Sequence, residues 1–137
     1  MLEGQYIIDA DGHVRDHEHL LKPFVDPEYR ERQFYFPRDG FDRAMGGKLG
    51  FYDVNPPDQI RAMDDEGIDL QVLFPTNGLF LGEIHEPKYS VAICRAYNDW
   101  MHTFCQHDPK RLKGVAIVPP VPRVRRMARF TMPRVVL

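Results

Sequence analysis

Three short apolar runs punctuate the chain: QYIIDA at Gln5–Ala10, LQVLF at Leu70–Phe74 and GVAIV at Gly114–Val118. Each is nearly continuous in apolar residues rather than alternating, the pattern of parallel strands covered on both faces. Each runs into polar or Pro-containing text: DGH, PTNG and PPVP. Between them, two stretches carry helical signals. Pro56–Glu66 has Asn55 as an N-cap, Pro56 in its first turn, Gly67 to close it in the left-handed conformation, and Ile60 and Met63 on one side. Pro87–His107 sets Val91, Tyr97, Trp100, Met101, Phe104 and Cys105 in an apolar stripe. Arg95, Asp99, His102 and Gln106 fall on another face, and Asp108-Pro109 ends the run. Strands alternating with helices predict βαβ units, a parallel sheet and right-handed crossovers.

The connection from Val14 to Asn55 breaks this regularity. It has no clear periodicity, and it contains Pro23, Pro27, Pro37, Gly40, Gly46, Gly47 and Gly50. It also holds an aromatic cluster of Phe34, Tyr35, Phe36, Phe41, Phe51 and Tyr52. A connection this long in a compact domain is a functional lid or insertion, or an excursion that packs its aromatics on the sheet edge.

Composition narrows the class. With 137 residues, 43% hydrophobic and 28% charged, the chain fits one globular domain and excludes disordered, collagenous and coiled-coil proteins. No apolar run approaches the ~20 residues of a membrane helix. The opening MLEGQYIIDADGH has no basic region followed by an apolar stretch, so a cytoplasmic protein without a membrane partner is expected. Charge divides unevenly. Positions 1–122 hold thirteen basic and twenty acidic residues, a net of −7, whereas 123–137 hold five Arg and no acid, a net of +5. An acidic body does not predict nucleic-acid binding. Cys94 and Cys105 sit in one predicted helix, where eleven residues of rise separate their Cα atoms by roughly 16 Å, too far for a disulfide. Both are expected to be buried thiols.

The candidate chemistry centres on IIDADGHV, Ile7 to Val14. Residues two apart in an extended chain point the same way, so the Asp11 carboxylate and the His13 imidazole converge. Such a pair chelates a divalent metal, and functional groups gather at the carboxyl ends of parallel strands. Asp9 is placed to orient His13 or the strand end. The alternative is a turn with a surface histidine. Asp16, His17, Glu18 and His19 are dense in ligand-type side chains and read as a second metal site or, preferably, as a solvated loop start. Thr76 and Asn77 follow the second strand, where substrate-facing residues belong. His85 reads as a surface residue, and His102 and His107 as inert.

Three segments together resemble the amidohydrolase superfamily, in the branch that includes aminocarboxymuconate-semialdehyde decarboxylase and related aromatic-acid decarboxylases and hydrolases. They are IIDADGHV; PPDQIRAMDDEGIDLQVLFPT, Pro56 to Thr76; and YNDWMHTFCQHDPKRLKGVAIVPPV, Tyr97 to Val121. The resemblance implies a metal-dependent (β/α)8 TIM barrel, of which this α/β chain holds the N-terminal portion: three strands and two main helices, with a long loop after strand one. In the family the strand-one motif is commonly His-x-His, with Asp-x-His among its variants, so Asp11 and His13 take the first two ligand positions, with Zn or Mn as the divalent metal. Its other ligands are a His from strand five, often a His near strand six, and an Asp from strand eight.

A barrel of this kind needs about 250 residues. The resemblance therefore implies a partial barrel at 1–122, truncated after about the third strand, followed at 123–137 by an Arg-rich aberrant or disordered tail. A basic tail for an anionic partner is the other reading of that stretch. Function follows in two versions. One is a hydrolase or decarboxylase acting on a small carboxylated or cyclic substrate. The other is a catalytically silent fragment of such an enzyme that self-associates through its exposed sheet edge. A flavodoxin-like module lacks support, because Asp-Gly-His is not a phosphate-cradling Gly-rich turn.

Overall fold

The computed structural model of the protein describes residues 4–32 and 55–119. The aromatic cluster of the long connection and the Arg-rich stretch lie outside these residues, as do the expectations attached to them. The elements are β1 (Ile8–Val14), α1 (Glu18–Leu21), a 3-10 turn at Lys22–Phe24, α2 (Pro56–Glu66), β2 (Leu70–Pro75), a 3-10 segment at Asn77–Glu83, α3 (Pro87–Cys105) and β3 (Leu112–Gly114). The sheet is parallel in the order β1-β2-β3.

Helix α2 starts and stops where its capping residues dictate. Asn55 Oδ1 accepts from Asp58 N at 3.0 Å, and Gly67 closes the helix at φ 73°, a conformation that costs Gly no steric strain. Helix α3 buries Tyr97, Trp100, Met101, Phe104 and Cys105 of its predicted stripe together with Tyr89, Ala92, Ile93, Cys94 and Ala96, and leaves Val91 half-buried.

Two strands differ from the pattern. β1 begins later than expected and runs through Asp11-Gly12-His13, because β2 continues beside it. His13 pairs with Phe74 and Val14 with Pro75, after a register shift between Asp9 and Gly12. Ladder hydrogen bonds thus override the turn propensity of Asp-Gly. Gly12 is required there: a Cβ would lie 2.5 Å from Gln71 Cγ. β3 runs over Leu112–Gly114 and shares only Gly114 with the expected Gly114–Val118. The apolar residues after it attach mainly to α3. Tyr97 Oη donates to Val115 O at 3.3 Å. The Asn98 amide both donates to Ile117 O at 3.0 Å and accepts from Ile117 N at 2.8 Å.

The core lies between the sheet and α3, with Leu73, Leu112, Tyr97, Ile93 and Met101 among its buried members. The short elements after β1 join it through Leu21 and Val25. Ion pairs Arg95–Asp26 and Arg32–Glu86 then tie that segment to α3. Arg111 braces the junction of α2 and β2. Its guanidinium donates to Asp64 Oδ1 at 2.6 Å, Ile68 O at 2.7 Å and Asp69 O at 3.2 Å. Coverage of both sheet faces, expected from the apolar runs, is not seen among the described residues: Ile8 is 56% exposed. No described helix is long and apolar enough to cross a membrane.

Cys94 and Cys105 are free and buried, as expected. Burial pushes the Cys94 thiol up to about 11 and raises that of Cys105. Since the thiolate is the reactive form, a thiol reagent at neutral pH should label neither cysteine in the native protein and both in denaturant. Rapid native labelling of Cys94 would contradict its burial.

Candidate functional site

The pleat of β1 places Asp11 and His13 together on the open face of the sheet. Asp11 Oδ1 lies 4.0 Å from His13 Nε2. The His13 ring stands beside Phe74 of β2, with centroids 6.1 Å apart. Its other nitrogen, Nδ1, is 3.3 Å from Thr76 Oγ1. The hydroxyl and the carboxylate thus meet opposite sides of one imidazole. Both partners are substantially solvated, so their mutual attraction contributes little to stability.

The pair fits part of a divalent metal site. Two donors about 2.1 Å from one tetrahedral ion stand roughly 3.4 Å apart, so the observed 4.0 Å is near that spacing but somewhat wider. An anionic oxygen with an imidazole nitrogen suits Zn or Mn. Two donors do not complete a site, and among the described residues no group of three or more His, Cys, Asp or Glu side chains could hold a metal.

Asp9 does not act on His13 by hydrogen bonding. Its Oδ1 accepts from Asp11 N at 2.9 Å and its Oδ2 from Gln71 Nε2 at 2.6 Å. Gln71 in turn accepts from Gln59 Nε2 of α2 at 2.6 Å. This chain joins β1, β2 and α2 below the site. The Gln71 amide, helped by Asp11 N–H, holds the Asp9 carboxyl below its ordinary range.

Asp16 has a structural task. It is fully buried. Its Oδ1 accepts from Thr76 N at 3.0 Å and Asn77 N at 2.8 Å, and its Oδ2 from Gly78 N at 2.6 Å. Burial raises its carboxyl above the ordinary range, against the opposing pull of these N–H donors. The dense Asp16–His19 run therefore divides: the carboxylate turns inward, and the His17 and His19 rings stack 5.8 Å apart. Asn77 is half-buried, with Nδ2 3.5 Å from Asp16 O. His85, His102 and His107 are exposed.

Sequence reasoning missed Asp16 and Gln71 as connecting residues. The available signal for Asp16 was a Thr-Asn-Gly turn after the neighbouring strand, whose backbone donors need an acceptor. Gln71 could have been flagged as a polar residue inside an apolar run, since a buried amide requires partners.

Solved structures have a similar fold. An amidohydrolase from Mycobacterium avium subsp. paratuberculosis K-10 superposes with a TM-score of 0.66 at 16% identity, over 89% of this chain and 45% of the other. A 5-carboxyvanillate decarboxylase from Novosphingobium aromaticivorans DSM 12444, complexed with manganese and 4-hydroxy-3-methoxy-5-nitrobenzoic acid, gives 0.57 at 19% identity, over 85% and 35%. No family model and no curated protein matches the chain. At these identities the likeness is one of fold. The chain has an α/β fold with a parallel three-stranded sheet similar to part of these structures, and it spans less than half of their length.

Proposed function

We propose that this chain is the opening segment of a metal-dependent hydrolase or decarboxylase of the amidohydrolase superfamily, in the aminocarboxymuconate-semialdehyde decarboxylase-like branch. Its substrate is small and carboxylated or cyclic. Asp11 and His13 are two of the ligands of a divalent metal, Zn or Mn. The observation that carries this reading is the Asp11–His13 pair, 4.0 Å apart on the open sheet face of an amidohydrolase-like fold. The manganese bound to the decarboxylase of similar fold supports the choice of ion. A divalent cation supplies Lewis acidity toward a carbonyl or carboxylate oxygen of the substrate. The chain's own part is to present one carboxylate oxygen and one imidazole nitrogen from a rigid strand. Thr76 and Asn77 line the approach from β2. The remaining ligands come from outside the described residues, in a longer polypeptide or in a second copy paired along the exposed sheet edge.

A second reading, a catalytically silent fragment, is favoured by the lack of a third donor among the described residues. Elemental analysis and solution mass of the purified chain separate the two. Near-stoichiometric metal on a defined oligomer supports the enzymatic reading, whereas a metal-free, polydisperse chain supports the silent one. Asp11→Ala and His13→Ala should each weaken metal binding by more than about 100-fold, since even the partners of metal ligands are worth 10–100-fold. Thermal unfolding should change little, because both side chains are solvent-facing. Binding equal to the parent in both variants would defeat the ligand assignment.

A further inference from the structure

Along β1 the two faces do not simply alternate. Asp9 points to the helix-covered side, where its carboxylate meets Gln71. His13 stands on the open side, beside Phe74. Residues four apart in a regular strand share a face, so one extra residue must lie between them. The pairing shows where. Asp9 pairs with Gln71 and Gly12 with Leu73, three steps along β1 against two along β2. Ala10 and Asp11 therefore lie opposite Val72, as a one-residue bulge. A shift of one residue exchanges the faces of all that follow. Counted in regular steps from Asp9, Asp11 and His13 would both turn toward the helices. Bulges are rare in parallel pairs and recur beside active sites, where they re-aim a side chain.

The flanks of the bulge are pinned. On one side, Ile7 N donates to Asp69 Oδ2 at 2.7 Å, and Ile7 O accepts from Asp69 N at 3.0 Å and Leu70 N at 3.2 Å. On the other, Val14 is buried in the core. Between them, Asp9 closes the bulge. Its Oδ1 accepts from Asp11 N at 2.9 Å, across the extra residue, while Gln71 Nε2 donates to its Oδ2 at 2.6 Å. Gln59 of α2 in turn donates to Gln71 Oε1 at 2.6 Å. Gly12 leaves room for this link, since a Cβ there would meet the Gln71 side chain.

We infer that Asp9 is a positioning residue for the metal ligands: anchored by Gln71 and Gln59, it clamps the bulge that puts Asp11 on the same face of the sheet as His13. It acts through the backbone of Asp11. The role rests on the metal-site reading for its purpose, whereas the clamp itself can be observed without metal.

The test uses the full chain, with urea unfolding to show that each variant is folded. Asp9→Leu removes the acceptor oxygens. Asp9→Asn removes the charge but keeps an oxygen for Asp11 N–H, and its amide can donate to Gln71 Oε1 once the Gln71 and Gln59 amides turn over. Without metal, hydrogen exchange at the Asp11 amide should be slow in the parent and in Asp9→Asn, and at least about tenfold faster in Asp9→Leu. Calorimetric titration with Zn2+ alone should show Asp9→Leu about 10–100-fold weaker than the parent. Asp9→Asn should bind close to the parent, a rescue that separates position from charge. Gln59→Met, at the far end of the chain of amides, should move both readings in the direction of Asp9→Leu by a smaller factor, and it decides the matter if Asp9→Leu does not fold.

Parent-like exchange at Asp11 in Asp9→Leu overturns the inference. So does parent-like Zn2+ affinity in Asp9→Leu while Asp11→Ala and His13→Ala lose binding, and that result leaves the ligand assignment standing. Equal weakening in Asp9→Leu and Asp9→Asn overturns it as well, because the charge of Asp9 and not its grip on the bulge would then matter. If Asp11→Ala and His13→Ala bind like the parent, the ligand assignment fails instead, and the exchange comparison alone decides whether Asp9 clamps the bulge.

Discussion

Replacing Asp16 with Ala should destabilise the protein by about 3–5 kcal/mol, because several buried N–H groups lose a charged acceptor in one step. Hydrogen bonds to charged groups are worth about 1.5–3 kcal/mol each, and a buried donor left unsatisfied costs about 1–3 kcal/mol. Three consecutive donors, Thr76, Asn77 and Gly78, depend on this carboxylate. Relaxation of the turn and entry of water keep the total below their sum. The backbone has little room to find another solution. A Cβ on Gly78 would lie 2.6 Å from Ile117 Cδ1 and 2.8 Å from both Asp16 Oδ2 and Pro75 Cβ. Against a typical total of about 5–15 kcal/mol, such a loss moves the urea midpoint by more than about 1 M. A shift of a few tenths of a molar would contradict the account.

The same residue sets a pH dependence with a definite sign. Burial raises the Asp16 carboxyl above its ordinary value. The folded state therefore holds this proton more tightly than the unfolded one. The resulting stability is fully present below the unfolded value and declines as pH rises through the folded one. Asp16→Asn keeps the volume and one acceptor oxygen but has no such titration. Its deficit relative to the parent should be largest in acid and narrow as pH rises, read from urea midpoints across the range. A deficit that grows with pH would mean that the N–H donors outweigh burial.

Tyr97→Ala should cost about 3–5 kcal/mol, in the range of large aromatic truncations in a core. Tyr97 is fully buried. Its ring packs against Trp100 with centroids 6.0 Å apart, and Trp100 packs against Phe104 at 5.6 Å. Its hydroxyl donates to Val115 O, and burial pushes the phenol far above its ordinary range. Tyr97→Phe keeps the ring and removes the single hydrogen bond, so its cost should be about 1 kcal/mol. Chemical denaturation of both variants separates the two contributions. Similar losses in both would mean that the link to Val115, rather than ring packing, dominates at this position.

Two residues of the motif segments have structural roles. Asn98 of the Tyr-Asn-Asp-Trp run holds Ile117 by both its amide atoms. Arg111 of Asp-Pro-Lys-Arg-Leu braces the end of α2. Each holds backbone from another part of the chain.

The local pattern by itself determined the order of elements, the parallel sheet, the limits of α2, the buried stripe of α3 and the Asp11–His13 pair. Each depends on near neighbours in the chain: caps, a helical period, and the two-residue repeat of a strand. Only the tertiary structure decided how far β1 extends, which side of the sheet stays open, and what Asp16, Gln71 and Thr76 do. β1 continues through a turn-like tripeptide because β2 lies alongside it to take its hydrogen bonds. Asp16 is buried because its N–H donors arrive from the end of another strand, sixty or more residues away. A carboxylate's local sequence cannot show whether distant backbone donors will replace the water it loses on burial, and that replacement is what turns a charge with solvent-loop neighbours into an anchor of the site.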